Sequence, residues 1–109
     1  MFEAMSQGDR LLLLKFVCAF AWTDLKVKDS ERRFVRRLVK RLRLTAEDAQ
    51  QVDEWLTIAP SPQSVDPKKV PEAHRRDFLE AVRAVVYADG EVDTEEREQL
   101  DKLKAALST

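Results

Sequence analysis

Asp24-Leu25-Lys26-Val27-Lys28-Asp29-Ser30-Glu31-Arg32 is echoed sixty-five residues later by Asp89-Gly90-Glu91-Val92-Asp93-Thr94-Glu95-Glu96-Arg97. Both stretches obey the frame D-x-x-V-x-x-x-E-R. Each follows an apolar run rich in alanine and aromatics, Phe20-Ala21-Trp22 and Val86-Tyr87-Ala88. A phrase repeated with its carboxylates at the same offsets points to two similar helix–turn–helix halves. It also sets four acidic residues, Asp24, Glu31, Asp89 and Glu96, at equivalent places in the two halves.

Working outward, the residues on both sides of each phrase have helical periodicity. Leu13, Phe16, Val17, Phe20 and Ala21 recur at the spacing of one helix face, predicting a helix over about 8–23. A second helix over about 29–42 would bury Phe34, Val35, Leu38, Val39 and Leu42. Thr45 is a suitable N-cap for a third helix whose core residues are Ala49, Val52, Trp55 and Leu56. The prolines in Ala59-Pro60-Ser61-Pro62-Gln63-Ser64 remove amide donors and break the pattern. Asp66-Pro67 reads as a cap and first residue of a short turn, and Pro71 as the start of a long helix to about residue 88. That helix would turn Phe78, Leu79, Val82, Val85 and Val86 inward, and a last helix over about 93–107 would add Leu100, Leu103 and Leu107. The expected fold is all-α: a compact single domain of about five main helices. Its halves, about 8–57 and 66–107, would be joined by a Pro-rich linker over 58–65.

The 109 residues suffice for a core without covalent staples. A single cysteine, Cys18, excludes an intrachain disulfide framework and a cysteine-rich zinc site, and its apolar neighbours predict a small buried hydrophobe. The net charge of −1 hides a polarity: nine basic residues against two acidic ones between Lys26 and Arg43, then only acidic residues from Leu44 to Asp66. Such polarity suits partner contacts or self-association through opposite faces, so protein partners and a homo-oligomer are both expectations. It is unlike the uniformly basic surface of a dedicated nucleic-acid binder. Residues 10–21 imitate a secretory signal, but Lys15 interrupts the apolar run and Glu3 and Asp9 precede it. The run is also too short to span a membrane, so a cytoplasmic, soluble protein without a direct membrane span is expected.

Asp89-Gly90-Glu91-Val92-Asp93-Thr94-Glu95-Glu96 matches the back half of an EF-hand loop, yet Val85 and Tyr87 stand where the first and third ligands belong. A self-contained calcium loop is thereby excluded. Across the two copies a different constellation is available. If the halves pack about a pseudo-two-fold axis, Asp24, Glu31, Asp89 and Glu96 meet at an interhelical corner and offer four carboxylates to Mg²⁺, Ca²⁺ or Mn²⁺. The competing reading is local. Asp93-Thr94-Glu95-Glu96 approximates a capping box, and first-turn acids suit the helix dipole.

The Ala-Asp-Gly-x-Val-x-x-x-Glu stretch after an apolar helix, its weaker copy near the start, and Leu42-Arg43-Leu44-Thr45 opening a further helix together resemble the TerB-like tellurite-resistance domain. The resemblance extends over about 10–107. It implies an all-helical, non-enzymatic binding or adaptor module serving bacterial tellurite resistance or general stress, often within membrane-linked complexes. It also implies that Asp24, Glu31, Asp89 and Glu96 chelate a metal. This chain departs from the family at Leu25, where glycine is common, and in crowding its first copy with Lys26, Lys28 and Arg32.

A second candidate surface lies on the second helix, where Arg33, Arg36, Arg37 and Lys40 could hold an anion, phosphate or partner. The plainer expectation is a solvated face paired with the acidic third or last helix. Trp22 and Trp55 are expected to anchor helices, and His74 to sit at the surface of a polar segment. With one histidine and no cysteine beside a base, no hydrolytic triad or histidine metal site can be assembled, and no enzyme is expected.

Overall fold

Each helix begins and ends for a local reason. The computed structural model describes residues 5–22, 27–61, 65–88 and 94–107. Ser6 caps α1 (Gln7–Ala21), its hydroxyl accepting the Asp9 amide at 3.1 Å. Helix α2 is Asp29–Arg41. Thr45 caps α3 (Ala46–Thr57) by accepting from Asp48 N–H at 3.2 Å, as its position before an amphipathic run predicts. Asp66 accepts from Lys68 N–H at 3.0 Å and opens a single 3₁₀ turn, Pro67–Lys69, with proline at its first position. Helices α4 (Arg75–Val86) and α5 (Thr94–Leu107) complete an all-α fold of five helices, with no strand among the described residues.

One boundary differs from expectation. Pro71 does not open the long helix; it leads into a separate 3₁₀ turn, Glu72–His74, and α4 starts at Arg75. His74, at φ −116° and ψ 4°, leaves the helical region and breaks the amide ladder between the two pieces.

Helix α1 lies at the centre, packed against α4, α3 and α2, while α4 also contacts α5 and α2. The residues α1 buries (Leu13, Leu14, Phe16, Val17, Cys18 and Ala21) go well round the helix, as a central position requires. Phe16 meets Phe78 of α4 edge-to-face, with ring centroids 5.6 Å apart. Such a pair adds about 0.5–1.5 kcal/mol to the apolar burial. Val52, Leu56, Val82, Val85, Leu100, Leu103 and Leu107 join the same core as expected, whereas Phe34, Val39, Trp55 and Leu79 are only half-buried against it. Trp22 ties the end of α1 to α3, its Nε1 donating to the Trp55 carbonyl at 2.6 Å. Lys15 stacks its ammonium 5.7 Å from the Trp55 ring centre. Both tryptophans therefore act as helix anchors.

Candidate functional site

The turn of the first repeat is built by its own sequence. Val27, the valine of the shared frame, is buried in the core and pins the entry to α2. Lys28 is the N-cap, and Glu31 at the third helical position turns back so that its Oε1 accepts Lys28 N–H at 2.9 Å. Lysine has no acceptor to return the bond, so only the reverse half of a capping box forms. The capping role expected of the frame's glutamate is thus present in the first copy. Its counterpart on Asp93 lies outside the described residues.

Glu31 and Glu96, the two glutamates at matching positions of the repeat, are each 2% exposed and are the two charged residues buried among those described. Lys28 connects them. Its amide is held by Glu31, and its Nζ lies 3.9 Å from Glu96 Oε1. The corner of the first repeat therefore reaches the glutamate of the second. Removing a carboxylate from water costs several kcal/mol, which a nearby ammonium offsets in part. Asp24 and Asp89 lie outside the described residues, and among the described residues no group of three or more His, Cys, Asp or Glu is placed to hold a metal. The two glutamates supply the hard oxygen donors that Mg²⁺, Ca²⁺ or Mn²⁺ prefers, with the Lys28 ammonium as a built-in competitor.

The basic surface contradicts the expectation of pairing. Arg33, Arg36, Arg37, Lys40, Arg41 and Arg43 are all exposed. Among the described residues the ion pairs are Lys28–Glu96, His74–Asp9 and Arg76–Glu80, and none involves this face or reaches it from α3 or α5. The acids of α3 lie on the neighbouring helix, but their side chains do not close the gap. Like charges at i,i+4, as in Arg33/Arg37, Arg36/Lys40 and Arg37/Arg41, are each unfavourable by about 0.2–0.5 kcal/mol.

Helix α2 ends just beyond this face in a Schellman motif: Leu44 N–H bonds Val39 C=O at 3.4 Å, and Arg43 N–H bonds Lys40 C=O at 3.2 Å. The position after the cap, usually glycine, is Arg43 at φ 52°. Among the described residues it is the one non-glycine residue with positive φ. The Leu42 carbonyl at the same end accepts from Arg10 Nη1 at 2.9 Å, so α1 secures the end of α2.

Two further groups need placing. Burial, reinforced by the negative charge of Asp53, pushes the Cys18 thiol up to about 12, which makes it a core residue with no thiolate at neutral pH. His74 is not at the surface as expected. Its 3₁₀ turn folds it against the start of α1, with Nε2 3.9 Å from Asp9 Oδ2 and the side chain 14% exposed.

Sequence reasoning gave no sign of an apolar cavity of about 700 Å³ between α1, α5 and the proline segment, walled by Phe16, Phe20, Trp22, Val65 and Leu103, with Lys102 at its edge. Its walls come from segments up to ninety positions apart, from Phe16 to Ala106, so no local pattern could have joined them. Among the described residues no helix is long and apolar enough to cross a membrane. Neither a family model, nor a curated protein, nor a solved structure matches the chain.

Proposed function

We propose that this chain is a non-catalytic binding or adaptor module resembling TerB, acting in the cytoplasm in a bacterial tellurite or general stress-response assembly. Its partners would be proteins, including membrane-associated ones. The observation that carries the reading is the buried corner: two glutamates from equivalent positions of a repeated motif, linked through Lys28. Carboxylates are seldom buried for stability alone, because well-packed apolar residues would cost less. In this reading Asp24, Glu31, Asp89 and Glu96 hold a divalent cation, Ca²⁺, Mg²⁺ or Mn²⁺. The ion would supply charge neutralisation and couple the two halves.

The test is calorimetric titration of EDTA-treated protein with each cation, alongside melting curves of wild type and Asp89→Asn. A bound cation at a hundredfold excess over its Kd should stabilise the fold by about 2.7 kcal/mol, and Asp89→Asn should abolish that gain. No heat and no melting shift at millimolar cation would leave Glu31 and Glu96 with structural roles only.

A second reading is favoured by the exposed cations of α2, which make no ion pair among the described residues: a phosphate- or nucleic-acid-binding protein using Arg33, Arg36, Arg37 and Lys40. Binding to generic DNA or RNA that weakens steeply with salt, and is lost in Arg33→Glu/Arg37→Glu, would establish it in place of the first.

A further inference from the structure

We infer that the exposed face of α2, Arg33, Arg36, Arg37 and Lys40 extended by Arg43, docks an acidic polypeptide segment of a partner protein. The inference rests on the protein-partner part of the adaptor reading above and not on its metal site.

Three observations carry it. First, the cations share one face at helical spacing, are all exposed, and make no ion pair among the described residues. Lys40 and Arg41 in the last turn complement the helix dipole; Arg33 and Arg36, in the body of α2, have no such benefit to offset their repulsion. Second, Arg43 takes a left-handed backbone where glycine would be unstrained. The same Schellman bonds would form with glycine, so local structure gives no reason for arginine there. Its guanidinium carries positive charge past the end of the helix. Strain of this kind persists where a site uses it. Third, five of the six exposed cations are arginines, whose planar fork matches a carboxylate with two parallel hydrogen bonds.

Phosphate oxygens would satisfy the same forks, and the surroundings decide against a long polyanion. Glu47, Asp48, Asp53 and Glu54 follow on the adjoining α3 with no cation among them. Their negative charge disfavours a long polyanion that continues past the basic face of α2 toward α3. The stretch from Arg33 to Lys40 is only about 10 Å long at the helical rise. An acidic segment of two helical turns or a few extended residues matches that length. The face also has no Asn, Gln or exposed aromatic residue with which to read or stack bases.

The probe is a fluorescently labelled oligoglutamate peptide, followed by anisotropy against wild type, Arg36→Glu/Arg37→Glu, Arg43→Gly and the control Lys68→Glu/Lys69→Glu, which reverses two exposed cations elsewhere. A short DNA duplex is titrated at the same ionic strength, and sedimentation tracks self-association. Wild type should bind the peptide with salt-dependent affinity. Arg36→Glu/Arg37→Glu should weaken binding roughly tenfold or more while keeping its melting temperature, and the control should match wild type. Arg43→Gly should weaken binding a few-fold while melting higher, a split that a purely structural Arg43 would not produce.

No peptide binding, or equal binding by Arg36→Glu/Arg37→Glu, overturns the inference. Tighter binding to the duplex hands the face to nucleic acid. Self-association abolished by the same reversal, without peptide binding, hands it to a second copy of the chain. Cation titration of Arg36→Glu/Arg37→Glu tests the buried corner separately, so either reading can fail while the other stands.

Discussion

Two charged regions of this molecule are treated in opposite ways. At the corner between the repeats, Glu31 and Glu96 are buried and each is engaged by Lys28. Along α2 and just past its end, six cations stand in solvent with no acid answering them among the described residues. Charge density does not separate the two, since α2 contains Glu31 and most of the cations alike. Position does. The third helical residue faces back toward the cap and the core, whereas the exposed stripe turns away. The contrast shows where charge serves the fold and where the fold merely tolerates it: a buried charge must be matched to survive, while an exposed one is screened and free to serve a partner.

The sharpest way to break this contrast is to reverse one charge in each region. Glu96→Lys places a second ammonium against Lys28 in a buried setting and should destabilise by about 3–5 kcal/mol in urea unfolding. Arg37→Glu should stay within about 0.5 kcal/mol of wild type. Equal losses would mean that the α2 face is structurally paired after all.

A smaller effect is expected at the connecting residue. Lys28→Met keeps the aliphatic stem and the backbone amide that Glu31 holds, but removes the ammonium near Glu96. The cost should be about 1–3 kcal/mol, discernible as a lowered urea midpoint with an unchanged slope. A neutral outcome would show that the 3.9 Å contact contributes nothing to holding the corner.

Burial elsewhere in the core has a pH signature. The Cys18 thiol rises from an ordinary 9.0 to about 12, so the folded state holds this proton more tightly than the unfolded state. Its contribution is complete below about pH 9 and is lost as pH rises toward 12, by up to about 1.4 kcal/mol per pH unit. Comparing alkaline unfolding of wild type and Cys18→Ala isolates this limb from other titrating groups. Identical profiles would refute the burial effect.

The smallest change should be a gain. Arg43→Gly relieves the left-handed arginine and should stabilise by about 0.5–1 kcal/mol, read as a higher melting temperature. A loss instead would show that Arg43 has a structural contact that outweighs its backbone strain.

Much of the architecture was legible because its causes are local. The N-caps Thr45 and Asp66 each accept an amide two or three residues ahead. The apolar periods of α1, α3, α4 and α5 follow from 3.6 residues per turn. The Pro71 boundary was missed because proline permits either a 3₁₀ turn or an α-helix after it, and the backbone of His74 makes the choice. His74 was misplaced for a related reason: its polar neighbours say nothing of the fold that brings Asp9 beside it.

By itself, then, the sequence determined the helices, the proline break and a repeat whose glutamates occupy matching places, since hydrogen-bond chemistry over a few residues suffices for each. Only the tertiary structure decided that Lys28 reaches Glu96, that the arginines of α2 make no ion pair with α3 or α5 among the described residues, and that a cavity opens between α1 and α5. Those outcomes depend on how helices cross. Crossing is set by the combined packing of the whole core around Phe16 and Phe78, which no short stretch of chain encodes alone.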